Sequence, residues 1–128
     1  GSVESMSQMF RGCTNFNSDL SKWDVGEVIF MSYMFSNCYE FNSDLSKWDV
    51  GNVTRMNSMF NDCESLDFDP SKWNIKKVNN MSFMFYGCKN FSIDYLNWDV
   101  KPSQYTRGIL DNSSIKGIKQ TFVDYEIS

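Results

Sequence analysis

A repeat with a period of 25 residues runs through most of the chain and restricts the folds open to it. Residues 16–26, FNSDLSKWDVG, are identical to residues 41–51, which indicates duplication of a unit. A unit this short cannot bury its own apolar side, so successive units must stack on one another. The residues that recur at this spacing are Trp23, Trp48, Trp73 and Trp98; Cys13, Cys38, Cys63 and Cys88; and the Met-x-x-Met-Phe sets that begin at Met6, Met31, Met56 and Met81.

The apolar spacing changes halfway through each unit. Met31, Met34, Phe35 and Cys38 stand at i, i+3, i+4 and i+7, which predicts one face of an amphipathic helix. Later in the unit the period becomes two, which predicts a half-buried strand, because Trp23 and its equivalents alternate with polar residues. The residues directly before the cysteines are of types that tolerate positive φ, which predicts that the helix ends there; they are Gly12, Asn37, Asp62 and Gly87.

The predicted fold is therefore α/β: a leucine-rich-repeat-like solenoid of about four 25-residue turns, each with one short parallel strand and one short helix. The spacing Leu20-x-x-Trp23-x-Val25-x-x-Val28 matches the apolar skeleton of leucine-rich repeats. We interpret residues 1–2 as a cloning scar, 3–101 as the tandem repeats in one solenoid domain, and 102–128 as a C-terminal cap and tail. Within that cap we expect a decayed fifth half-unit, and a short helix near Ile115, Ile118 and Phe122.

The repeated motif resembles the BspA-like leucine-rich repeats of bacterial surface proteins. It is still more similar to the PARCEL-type repeat of mycoplasma and lactobacillus lipoproteins, FNxDLSxWDVxxVxxMxxMFxxC, over roughly residues 3–101. This resemblance implies a secreted or surface-anchored location and a role in adhesion or host contact.

The composition argues against several classes of function. The chain has 12 basic and 16 acidic residues, so a formal charge of −4 disfavours nucleic acid as a partner. No apolar run approaches the roughly 20 residues of a membrane span, so we predict no membrane insertion by this segment. Histidine is absent, which removes the usual general base and the commonest metal ligand. We predict no enzyme activity, no catalytic or metal-binding residues and no cofactor.

Three sets of repeated residues have both a structural and a functional interpretation. The cysteines are predicted to be buried free thiols, with disulfides as the alternative. The tryptophans are predicted to lie in the core, with an exposed carbohydrate-stacking platform as the alternative. Aspartates at 19, 44, 69 and 94 are predicted to cap turns, with calcium sites between units as the alternative.

Two candidate binding surfaces follow from residues that packing does not dictate. One is an aromatic patch on the predicted helix flank of the second unit. The other is a polar face of the predicted strands, with columns of opposite charge; the alternative is that this face is an ordinary solvated surface without a ligand. The residues of the patch are Ile29, Phe30, Tyr33 and Tyr39, and those of the polar face are Lys22, Asp24, Lys47 and Asp49.

We expect a non-catalytic recognition or adhesion module, extracellular and at a bacterial cell surface, that binds a host protein or glycan. The alternative is a structural spacer or antigenic stalk without a specific ligand. Self-association through an open N-terminal strand edge is a further expectation.

Overall fold

Successive units are joined by backbone hydrogen bonds that repeat at the sequence period. The computed structural model describes residues 3–119. In it, the amides of Met31, Tyr33 and Phe35 donate to carbonyls of the next unit at Arg55, Asn57 and Met59. Equivalent bonds join every pair of neighbouring units, and isolated parallel bridges run through Ser5, Phe30, Arg55, Asn80 and Tyr105. We call residues 5–13, 30–38, 55–63, 80–88 and 105–113 the five ladder segments.

The predicted α/β fold is wrong, because residues 3–119 contain no helix and only two short strands. β1 (Tyr95–Leu96) pairs in parallel with β2 (Gly117–Ile118), with Tyr95 opposite Gly117 and Leu96 opposite Ile118. Neither strand recurs from unit to unit.

The segment predicted as a helix is a run of consecutive turns. The amide of Met34 bonds to the carbonyl of Met31, three residues back, while the amide of Phe35 leaves its own unit and bonds to Met59. Two residues of the segment, Tyr33 and Asn37, have φ near +60°, which a right-handed helix does not allow. The predicted positive φ before each cysteine is confirmed at Gly12, Asn37, Asp62 and Gly87, but it belongs to a turn and not to a helix end.

The prediction of a strand in each unit is also wrong, although the predicted alternation of buried and exposed side chains is correct. Trp48 and Val50 are buried, and Lys47 and Asp49 are exposed. The backbone there closes turns, with the amides of Trp48 and Val53 bonded to carbonyls three residues back. The segment around Trp23 is therefore not a strand, although the expected self-association depended on a strand edge there. Self-association itself stays a prediction.

A column of aromatic rings runs through the core along the stack. The rings of Phe10, Phe35, Phe60 and Phe85 are nearly parallel, with centroids 5.5–5.7 Å apart from one unit to the next. Three of the four indole N–H groups donate to a turn carbonyl of the preceding unit: Trp48 to Leu20, Trp73 to Leu45, and Trp98 to Pro70, at 2.8–2.9 Å. The prediction of core methionines and tryptophans is confirmed in the second to fourth units. In the first unit Met9 and Trp23 are exposed, and the described residues include no preceding unit that could cover them.

The fifth half-unit is present. Ile109 is buried, and its carbonyl accepts from Phe85 just as Met84 accepts from Phe60. The predicted cap helix is wrong over its described part, since Gly117–Ile118 is β2, and Phe122 lies outside the described residues. Gln104 closes this end of the core: its side-chain amide donates to the carbonyls of Ile75 and Val78 at 2.8 and 2.9 Å.

Replacement of Gln104 is expected to destabilise the chain. Gln104→Met keeps the approximate volume of the side chain but removes both donors, which leaves the buried carbonyl of Val78 without a partner. We expect a loss of about 1–3 kcal/mol in the free energy of unfolding, measured by denaturant titration. The matched control is Gln8→Met at an exposed glutamine, for which we expect less than about 0.5 kcal/mol. Equal losses in the two variants would show that the Gln104 amide does not hold this end of the core.

Candidate functional site

An exposed row of side chains follows the parallel bridges along one edge of the stack. Phe30 and Tyr105 are 39% and 68% exposed, Arg55 is exposed, and Asn80 between Arg55 and Tyr105 is half-buried. The bridges pair these residues in register, so each side chain lies one unit from the next, about 4.8 Å away. We call Phe30, Arg55, Asn80 and Tyr105 the edge row.

A groove of about 450 Å³ with both polar and apolar walls lies beside the edge row. Ile29 and Thr54, which directly precede Phe30 and Arg55, form part of its wall. The amide of Asn52 lies between the carbonyl of Gly26, to which it donates at 2.7 Å, and the Lys77 ammonium, which donates to it at 3.1 Å. The groove therefore presents carboxylate, amide, hydroxyl and ammonium groups; its lining residues are Glu4, Glu27, Ile29, Asn52, Thr54 and Lys77.

The predicted aromatic patch does not form a single cluster. Without a helix, Ile29, Phe30 and Tyr33 have no shared flank, and within residues 3–119 no ring contact joins Phe30, Tyr33 and Tyr39. Ile29 is half-buried in the groove, and Tyr39 is 40% exposed elsewhere on the second unit. Tyr33 is half-buried beneath the guanidinium of Arg11, 4.5 Å from its ring centroid. Only Phe30 belongs to the edge row.

The predicted polar face is exposed, and it borders a second groove of about 530 Å³. Lys22 and Lys47 line this groove together with Asp19, Asp44 and neighbouring Asn and Ser residues. Asp24 and Asp49 instead accept hydrogen bonds from the amides of Gly26 and Gly51, both at 3.0 Å, so their carboxylates stabilise turns. Across the described residues, the only ion pair within 4.0 Å joins Lys116 and Asp94, so Lys22, Asp24, Lys47 and Asp49 do not pair directly.

The predicted turn-capping role of the aspartates is confirmed at three of the four positions. Asp19, Asp44 and Asp69 accept from the amides of Ser21, Ser46 and Ser71 at 2.9–3.0 Å. These backbone hydrogen bonds are the main cause that lowers the pKa of Asp19 and of Asp44 below the usual 3.8. The fourth, Asp94, forms the ion pair with Lys116. In the described part of the chain no three His, Cys, Asp or Glu side chains are placed to hold a metal ion together.

Three of the four cysteines are buried free thiols, as predicted, and Cys13 is exposed. The sulfurs of Cys38, Cys63 and Cys88 each lie 3.0 Å from a carbonyl oxygen of the preceding unit. Burial raises the pKa of Cys38 to about 11, and burial also raises the pKa of Cys63 and of Cys88 above the usual 9.0. A raised pKa is the opposite of what a nucleophilic cysteine needs, since the thiolate is the reactive form.

Thiol labelling is expected to separate Cys13 from the other three. In the native chain at pH 8 we expect one thiol per molecule to react rapidly with Ellman's reagent, because burial and raised pKa protect the rest. In denaturant all four should react, and Cys13→Ser should remove the fast phase alone. Rapid reaction of two or more thiols in the folded protein would contradict the buried positions of Cys38, Cys63 and Cys88.

The exposed tryptophan platform is excluded for three of the four residues, because Trp48, Trp73 and Trp98 are 2–5% exposed. Sequence reasoning missed most of the edge row, since it singled out Phe30 alone. The sequence feature that could have revealed the edge row is that this position varies from unit to unit. Its residues are Ser5, Phe30, Arg55, Asn80 and Tyr105.

Comparison with known proteins gives one match. Residues 4–121 match the family model described as Mycoplasma protein of unknown function, DUF285. No curated protein and no solved structure matches the chain. Within the described residues, the structure contains no helix of the length and apolarity that crossing a bilayer would need.

Proposed function

We propose that this chain, which belongs to the DUF285 family of mycoplasma proteins of unknown function, is a non-catalytic recognition or adhesion module. In this proposal it is displayed outside the cell on a bacterial surface and binds a host protein or glycan. The resemblance of its motif to BspA-like and PARCEL-type surface repeats supports that location.

The observation that carries the proposal is the exposure of large aromatic side chains that the stack does not use. Phe30, Tyr39 and Tyr105 are 39%, 40% and 68% exposed, while the stacked rings of Phe35, Phe60 and Phe85 are completely buried. Their equivalent positions elsewhere hold small or polar residues such as Ser5, so stacking does not require an aromatic ring there. Exposed aromatic groups near arginine are typical of recognition surfaces.

A non-catalytic role fits the chemistry of the buried and repeated groups. The carboxylates of Asp19, Asp44 and Asp69 stabilise turns, and burial raises the pKa of the Cys38 thiol to about 11. A repeated catalytic group would also occur in several equivalent copies, which is unusual for an active site.

The test is a binding screen of the purified chain against immobilised extracellular-matrix proteins and glycans, with monomer content checked throughout. We expect saturable binding that is lost in the Phe30→Ser/Tyr105→Ser variant, which removes two of the three exposed rings. Binding retained in that variant but lost in Lys22→Ser/Lys47→Ser would move the site to the polar face. No binding by a folded monomer would contradict the recognition proposal.

A structural spacer is the second candidate. The observation in its favour is the regularity of the ladder, in which equivalent amides of four successive ladder segments donate to the following segment. In such a stack the number of units sets the length, and each unit contacts only its neighbours. A spacer would bind nothing in the screen and would tolerate every surface substitution named above.

A further inference from the structure

The edge row has an aromatic side chain at each end and two hydrogen-bonding side chains between them. Phe30 and Tyr105 lie at its ends, roughly 14 Å apart over three ladder steps, with Arg55 and Asn80 between them. Arg55 brings guanidinium donors, and the side-chain oxygen of Asn80 accepts from the amide of Ser82, which fixes the orientation of its amide group. The row is thus a ring, two polar groups and a second ring.

This arrangement differs from the centre of a protein interface. Protein interfaces bury about 800 Å² on each partner around a compact apolar core. Here the two exposed rings are separated by polar side chains and do not form a contiguous apolar area. A ligand that lies along the row must instead offer flat apolar faces separated by polar groups.

A linear oligosaccharide has that chemistry. Each pyranose ring carries C–H groups on its faces, which pack on aromatic rings, and hydroxyl groups on its rim, which exchange hydrogen bonds with amide, guanidinium and carboxylate groups. One sugar unit of an extended chain is close in length to one step of the ladder. Sugars stacked on Phe30 and Tyr105 would therefore place the intervening units over Arg55 and Asn80.

The groove beside the edge row extends this polar recognition. Thr54 and Asn52 offer a hydroxyl and an amide, and the charged groups are two carboxylates, Glu4 and Glu27, and one ammonium, Lys77. The net charge of −4 disfavours polyanionic glycans, which need a basic surface. The chemistry of the groove therefore favours an uncharged chain rich in hydroxyl groups.

We propose that the edge row and its adjoining groove form a binding site for an uncharged linear oligosaccharide of about four sugar units. This inference rests on the proposed recognition function and specifies its ligand class and site. Phe30 and Tyr105 stack on sugar faces, and Arg55 and Asn80 hydrogen-bond to hydroxyl groups between them.

The experiment titrates the chain with soluble cello-, malto- and N-acetylglucosamine oligosaccharides of one to six units, followed by NMR or calorimetry. We expect affinity for one series to rise with length up to about four units and then to level off. Phe30→Ser and Tyr105→Ser should each weaken binding at least tenfold. Tyr95→Ser, at another 52% exposed tyrosine, should leave it within twofold.

Each remaining outcome overturns the inference in a distinguishable way. Sugar binding that survives both Phe30→Ser and Tyr105→Ser, in variants that melt within a few degrees of the parent chain, would place the site elsewhere. A matrix protein bound saturably without any oligosaccharide binding would reject the ligand class while the recognition function stands. Absence of binding to both would reject the oligosaccharide site and the proposed function together.

Discussion

Trp48→Ala is expected to lower the free energy of unfolding by about 3–5 kcal/mol, a large part of the stability of a chain this size. The indole is 4% exposed, its ring lies 6.2 Å from that of Phe35, and its N–H donates to the carbonyl of Leu20 at 2.9 Å. Truncation leaves a cavity where two units meet and removes a hydrogen bond between them. Denaturant unfolding followed by circular dichroism measures the loss.

Trp23 supplies a matched control in the same sequence context, SKWDVG. Its indole is 39% exposed, so Trp23→Ala should cost less than about 1.5 kcal/mol. Trp48→Phe retains most of the apolar volume and should fall between the two alanine variants. If Trp48→Ala costs no more than Trp23→Ala, the indole of Trp48 does not contribute to the cohesion of the stack.

The sequence predicted which side chains are buried better than it predicted the backbone. Apolar residues at i, i+3, i+4 and i+7 face one side of a helix, but they also face one side of consecutive turns closed by bonds three residues back. The hydrogen-bond partners of the backbone amides distinguish a helix from consecutive turns. Here the amide of Phe35 bonds to a carbonyl of the next unit and not to one within its own unit. Periodicity in one unit carries no information about that partner.

One of the two positive-φ positions in each ladder segment was predictable and the other was not. The position before the cysteine holds Gly, Asn or Asp, which tolerate positive φ. Four residues earlier, the equivalent position has the same backbone but no common residue type; it holds Gln8, Tyr33, Ser58, Phe83 and Gly108. The inter-unit hydrogen bonds impose this conformation against the preference of a bulky side chain such as Tyr33.

The candidate site was predictable only in part for a similar reason. Phe30 attracted attention because an aromatic residue stood where other units have polar ones. Tyr105 follows Lys101 and Pro102, where the repeat pattern is interrupted, so its alignment with Phe30 depended on a register that the structure supplies. Arg55 and Asn80 are ordinary surface residues until the parallel bridges place them between the two rings.

Gly87→Ala is expected to destabilise the chain by about 2–4 kcal/mol, from two separate causes. Gly87 has φ +74°, which an alanine adopts only with strain. A Cβ at this position would also overlap the carboxylate of Asp62 in the preceding unit. Gly12 separates the causes, because it has φ +76° but open space around its Cβ position. Gly12→Ala should therefore cost only about 1 kcal/mol.

Removal of the Asp62 carboxylate should relieve the overlap. In an Asp62→Gly background, the loss caused by Gly87→Ala is expected to fall to about that of Gly12→Ala, because only the backbone strain remains. Thermal or denaturant unfolding of the single and double variants gives the coupling between the two positions. Equal costs for Gly87→Ala with and without the Asp62 side chain would show that the two units do not approach as closely here as the structure places them. The distance between units at this position would then be set by backbone hydrogen bonds, such as that from the amide of Gly87 to the carbonyl of Asp111, and not by the size of the side chains.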